Sequence, residues 1–144
     1  MDPSLIPQSE NPNNLHRKIW KEEEAAENLS LLKEASQHWG LLFEVQKGCK
    51  FCDRFAPILK EFSEITGFQI LAVSKLGQDY GPFKGVVDTG MLAPLNPEGL
   101  APTVYLLNSS GTKILPIARG MVSSDDLVIN ILRGIKWKEE GEVT

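Results

Sequence analysis

The stretch KGCKFCDRFAPIL, residues 47–59, holds both cysteines of the 144-residue chain, and an apolar helical pattern starts just after them. The pair is separated by two residues. That spacing fits a redox couple, half of a zinc site or a short structural crosslink. The surrounding sequence has to discriminate among them.

Composition narrows the setting. The chain is about the length of one ordinary domain, long enough to bury a core. Hydrophobic residues make up 42% and charged residues 24%, as in globular proteins. A net charge of −4 argues against nucleic acid as a partner, because a binding face needs a basic excess. The acids gather in KEEEAAE (21–27) and KEEGE (138–142), which read as solvated faces. No apolar run approaches the ~20 residues that span a bilayer, so no membrane insertion is expected. The start, MDPSLIPQSENPNN (1–14), has neither a basic head nor an apolar stretch and is not a signal peptide.

The element pattern supplies the frame. Residues 1–14 carry Pro3, Pro7 and Pro12 without periodicity and read as a disordered leader. Leu15, Ile19, Ala26, Leu29, Leu32, Ala35 and Trp39 recur at helical spacing, which predicts a helix over 15–38 with Gly40 as its cap. LLFEV (41–45) is a short apolar run that suits a buried strand. In the next helix Phe55, Ile58, Leu59, Phe62 and Ile65 share one face, Pro57 kinks it and Gly67 ends it. FQILAV (68–73) reads as a second buried strand. Residues 74–100 are rich in Gly and Pro and predict loops around one short helix near 86–92. TVYLLN (103–108) and TKILPIA (112–118), joined by NSSG, form a hairpin. Ser123 caps a closing helix whose inward face is Leu127, Val128, Ile131, Leu132 and Ile135. Residues 137–144 read as a flexible tail. A βαβ unit followed by a ββα unit gives an α/β fold, a mixed central sheet with helices on both faces. That is the thioredoxin architecture over 39–136, with an additional N-terminal helix.

In this frame Cys49 lies at the start of a helix and Cys52 in its first turn. The unpaired N–H groups and positive end of the helix favour a thiolate over a thiol. Such a cysteine can titrate anywhere from ~3.5 to ~7.5 rather than near ~8.5. Lys50, a cation between the two sulfurs, adds to this. Cys49 is therefore the candidate nucleophile and Cys52 the resolving cysteine. A zinc site needs two further ligands, and neither His16 nor His38 stands in a ligand spacing to the pair, so no metal is expected. A static crosslink across so short a loop stabilises weakly. Nothing in the sequence calls for a cofactor.

The stretch HWGLLFEVQKGCKFCDRFAPILKEFSEITGFQILAVSKLG (38–77) resembles the thioredoxin-like TraF/TrbB family of F-type conjugative transfer systems, and so does APTVYLLNSSGTKILPIARGMVSSDDL (101–127). The resemblance covers roughly Trp39 to Ile135. It implies a periplasmic protein of pilus assembly or disulfide handling within type IV secretion, here in its mature form. It matches Cys49 and Cys52 to the redox cysteines. It matches Pro102 to a cis-proline beside them, with the backbone of Ala101 left to pair with a substrate strand. The implied function is a thiol–disulfide oxidoreductase whose partners are thiols and disulfides of exported proteins and other secretion proteins. Some members lack the cysteines and serve assembly alone, so the alternative is an assembly module with a static disulfide. In that reading the helix over 15–38 binds a partner; in the other it packs on the sheet. The oligomeric state is left open.

One departure concerns Glu44. Many redox thioredoxin-fold proteins carry a buried acid six residues before the first cysteine. Here Phe43 occupies that position and Glu44 stands five before. Either a shorter loop makes Glu44 the acid that takes a proton from Cys52, or Glu44 faces the other way and is paired or solvated. The segments YGPF (80–83) and GVVDTGMLAPL (85–95) fit a groove border or plain loop packing equally.

Overall fold

The computed structural model describes the backbone of residues 12–143 and the side chains of residues 22–138. The leader read over 1–14 therefore lies almost wholly outside the described residues. The chain divides into two compact units, residues 1–31 and 32–144. Helix α1 runs Pro12–Ala35, and its described residues to Leu31 belong to the first unit. It starts earlier and ends earlier than the sequence periodicity indicates. Trp39 does not continue it and Gly40 does not cap it, because they open β1 and pair with Asn108 and Leu107.

The second unit holds β1 (Trp39–Glu44), α2 (Lys50–Thr66), β2 (Ile70–Ser74), β3 (Lys84–Val87), β4 (Thr103–Asn108), β5 (Ile114–Arg119) and α3 (Ser124–Val143). The sheet order is β3-β2-β1-β4-β5. β1 and β2 are parallel, as a crossover through α2 requires. β4 runs antiparallel to β1 and β5. This is the thioredoxin-like α/β arrangement, with β3 added parallel at the edge beside β2.

Alternation along the strands defines two faces. Leu41, Phe43 and Val45 of the β1 segment, Ile70 and Ala72 of β2, and Val104 and Leu106 of β4 join one core. Into the same core go Cys52, Phe55, Leu59 and Phe62 of α2 and Leu127, Ile131 and Ile135 of α3. Phe43, Phe55 and Leu59 are wholly excluded from solvent, each such side chain contributing about 1.5–3 kcal/mol of transfer free energy. The opposite face carries Leu42, Val73 and Tyr105, covered by Leu92 and the half-buried Leu95. Both α2 and α3 thus pack on one face. The expectation of helices on both faces is corrected: a loop segment takes the second side.

That correction follows from residues 84–100. No helix forms near 86–92; Val86 and Val87 end β3, and residues 91–95 are turns. β-branched valines favour a strand, and Gly90, Pro94 and Pro97 interrupt any helix beyond them. Gly85 permits the strand, because a Cβ there would sit 2.2 Å from the carbonyl oxygens of Gly77 and Gln78.

The helix ends follow local chemistry. Gly67 adopts φ 86° and its N–H donates to the Ser63 carbonyl at 2.8 Å, closing α2. α2 continues through Pro57 without a break. The Ser123 hydroxyl accepts from the Asp126 N–H at 3.1 Å at the start of α3. The backbone of α3 continues helical to Val143, beyond the end that periodicity suggests.

Candidate active site

The C-terminal end of β1 and the N-terminal end of β4 lie side by side, with Glu44 opposite Thr103. Antiparallel pairing therefore brings the loop that follows β1, which carries Cys49, to the same end of the sheet as Ala101 and Pro102. Cys49 is the N-cap of α2, in extended backbone at φ −80° and ψ 104°. Its Sγ accepts the Cys52 N–H at 3.0 Å. A cap residue of this kind satisfies one of the orphan donors of the first turn. The two cysteines form a disulfide with Cα atoms 5.2 Å apart. Cys49 is half-buried, whereas Cys52 is 0% exposed and sits in the apolar core with Phe43 and Phe55.

Lys50 is exposed at the first helical position, and Phe51 beside it is 58% exposed. The Arg54 guanidinium lies over the Phe51 ring, 5.9 Å from its centroid. The Ala101–Pro102 peptide is cis; Ala101 is half-buried and Pro102 buried. The Pro102 carbonyl accepts from the Gly120 N–H at 2.7 Å.

Glu44 does not face Cys52. Strand alternation gives that side to Phe43, and Glu44 points to the opposite face. There its Oε1 accepts from the Tyr105 hydroxyl and from Asn96 Nδ2, the latter at 3.0 Å. Burial, this hydrogen bond and the carboxylate's charge together push the Tyr105 phenol well above its ordinary range. Of the two alternatives for Glu44, the paired one holds. Among the described residues the buried polar side chains are Thr66, Asn96 and Thr103, so no carboxylate is buried near Cys52.

Sequence reasoning passed over Asn96, which is 5% exposed. Besides Glu44, its Nδ2 donates to the Leu100 carbonyl at 2.9 Å, and its Oδ1 accepts the Leu100 N–H at 3.1 Å. Gln46 Nε2 adds a bond to the Gly99 carbonyl at 2.7 Å. The two ends of the site are thus tied: β1 and its exit hold the segment that leads into Ala101 and Pro102. In PLNPEG (94–99) an asparagine reads as an ordinary turn residue, so nothing in the sequence marked it.

Tyr80 and Asp53 were missed too. The Tyr80 hydroxyl donates to Asp53 Oδ1 in the first turn of α2. The Tyr80 ring stands edge-on to Phe43 at 5.8 Å, and Phe83 does the same at 5.7 Å. YGPF therefore packs beside α2, while residues 91–95 of the second segment lie on the opposite face. Among the described residues no group of three or more His, Cys, Asp or Glu side chains converges as a metal centre needs.

A cysteine pair at a helix start, one residue half-buried and the other enclosed, has the groups that thiol–disulfide exchange needs. Comparison with protein families finds a match over residues 1–132 to the family described as "TraF: F plasmid transfer operon protein". Among solved structures, the chain is similar to the reduced form of the N-terminal domain of PilB from N. meningitidis, determined in solution. Identity is 15% over 65% of this chain and 78% of that one, with a TM-score of 0.46. Comparison with curated proteins finds no match.

Proposed function

The chain belongs to the TraF family of F plasmid transfer operon proteins, and from that premise we propose that it is a periplasmic thiol–disulfide oxidoreductase acting on exported proteins of conjugative pilus and type IV secretion assembly. The observation that carries this reading is the asymmetry of the pair: Cys49 is a half-exposed helix cap and Cys52 is fully enclosed behind it.

In the reducing direction the Cys49 thiolate attacks one sulfur of a substrate disulfide. A Cys49–substrate bond forms, the substrate bond breaks, and one substrate thiolate leaves and takes a proton from water. The Cys52 thiolate then attacks Cys49 Sγ, the internal disulfide closes, and the second substrate thiolate departs. Two electrons have passed to the substrate. Run backwards, the same steps oxidise a substrate dithiol and leave Cys49 and Cys52 reduced. The Cys52 N–H, now donated to Cys49 Sγ, would stabilise the thiolate in the reduced protein. Ala101, just before Pro102, is the candidate edge for substrate backbone, and other secretion proteins are the candidate partners.

The test is insulin reduction and reactivation of scrambled ribonuclease, with wild type compared to Cys49→Ala. Activity is expected to vanish in the variant. A variant as active as wild type overturns the reading.

A second reading, an assembly module with a static disulfide, draws support from the apolar surroundings of Cys52 and the absence of a buried carboxylate there among the described residues. Desolvation without an acid partner disfavours a Cys52 thiolate. Complementation of a transfer defect by Cys49→Ser/Cys52→Ser favours this reading; failure of that variant to complement favours redox chemistry.

A further inference from the structure

Asp53 stands four residues after Cys49, and its N–H donates to the Cys49 carbonyl at 3.2 Å in the first turn of α2. That bond closes the first turn of the helix on its cap residue. Asp53, exposed, thus sits in the first turn of α2, one backbone hydrogen bond from the Cys49 cap, while Cys52 points into the core. Its partner is fixed independently. Tyr80 exchanges backbone hydrogen bonds with Phe83, both at 2.9 Å, and its ring is held against Phe43. Asp79 Oδ1 adds a bond from the Gly85 N–H at 2.8 Å, anchoring the same turn to β3. The Tyr80 hydroxyl is thus presented to Asp53 by a braced turn. Burial, the hydrogen bond to Asp53 and its charge push the Tyr80 phenol up to about 12, which keeps it a donor at any ordinary pH.

We propose that Asp53 and Tyr80 together set the acidity of the Cys49 thiol in the reduced protein, Asp53 opposing the thiolate and Tyr80 moderating that opposition. The inference rests on the reading of Cys49 as the nucleophile. Lys47, Lys50 and Arg54, close to Cys49 in the sequence, are exposed cations, and together with the N-terminal end of α2 they favour the thiolate. Asp53 is the acid on that turn, and its charge works against them. A hydroxyl donating to the carboxylate offsets part of the negative potential that reaches the sulfur. Asp53 and Tyr80 are positioning residues, since neither reacts.

The experiment uses the full chain carrying Cys52→Ala, so that Cys49 alone titrates, followed by thiolate absorbance and by the pH profile of alkylation. Asp53→Asn should lower the Cys49 pKa by about 0.5–1 unit, the effect of one charge ~6 Å away in a largely aqueous setting. Tyr80→Phe keeps the ring on Phe43 and should raise the pKa by a smaller amount, about 0.2–0.5 unit. Combined with Asp53→Asn, Tyr80→Phe should produce no further shift. A purely structural role for Tyr80 predicts equal shifts in both backgrounds, or none in either, and each of these results overturns the proposal. An unchanged pKa in Asp53→Asn overturns it as well. If Cys49 titrates near ~8.5 in every variant, the reading of Cys49 as an activated nucleophile fails with it. A depressed pKa that ignores Asp53 and Tyr80 sinks the inference alone.

Discussion

Asn96 Nδ2 donates to Glu44 Oε1 at 3.0 Å, joining the loop before β4 to the last residue of β1. The same amide closes on both backbone groups of Leu100, at 2.9 and 3.1 Å. One side chain therefore organises the approach to Ala101 and Pro102. Asn96→Ala leaves the Leu100 carbonyl and N–H without this partner and removes one of the bonds to Glu44. We expect a loss of about 2–3 kcal/mol in urea unfolding, more than a single surface hydrogen bond would give. In the oxidoreductase assays the KM for a peptide disulfide should rise while the Cys49 pKa stays put. A stability change under ~0.5 kcal/mol would show that the loop holds itself without Asn96.

The chain has two tyrosines, and both phenols are shifted upward, Tyr80 to about 12 and Tyr105 further. Each donates to a carboxylate, Asp53 or Glu44. In the unfolded chain both titrate near ~10. A raised folded pKa contributes stability that is complete below ~10 and is lost as pH climbs through the folded value. Absorbance of the native protein at pH ~10 should therefore show almost no tyrosinate, against about half in urea. The urea midpoint should fall from pH ~10 upward, and Tyr105→Phe should flatten that fall. Half-ionised native tyrosine at pH ~10 would contradict both hydrogen bonds.

Gly85 lets β3 lie against the turn at Gly77 and Gln78. A methyl group there would meet two carbonyl oxygens at 2.2 Å, and backbone cannot step aside as a flexible side chain can. Gly85→Ala should cost about 2 kcal/mol or more. The damage should be local: hydrogen exchange of Val86 and Val87 should quicken while Phe43 in β1 remains protected. Uniform protection across β3 in the variant would show that the turn relaxes instead.

These features differ in how far the sequence announces them. α2 is legible because its apolar spacing, its cap at Gly67 and its cysteines are all local. So are the hairpin over Thr103–Arg119 and the Ser123 cap. β3 is not, because its four residues are mostly exposed and are stabilised by pairing with β2 across a Gly-rich loop. Facing is the finest case. Phe43 and Glu44 are adjacent, and a strand sends adjacent side chains to opposite faces, so one residue of loop length decides whether an acid meets Cys52. Spacing alone leaves that undecided; the register of Phe43 with Ala72 and Val104 decides it. Asn96–Glu44 and Tyr80–Asp53 are contacts between residues 52 and 27 positions apart, and each partner separately looks like a common surface or turn residue.

After reduction, one equivalent of iodoacetamide should label Cys49 and leave Cys52 untouched. Two independent factors act in the same direction. Access favours Cys49, which is half-buried, over Cys52, which is enclosed by Phe43, Phe55 and the rest of the core. Acidity favours it too, since the first-turn N–H groups stabilise a Cys49 thiolate whereas apolar burial raises the pKa of a thiol. Selectivity should exceed roughly tenfold in peptide mapping at neutral pH, and Phe43→Ala should erode it by opening the core beside Cys52. If Cys52 is alkylated first, the assignment of attacking and resolving roles is reversed. If both react together only once urea is added, the pair is shielded as a structural bridge would be, and the assembly reading gains the stronger claim.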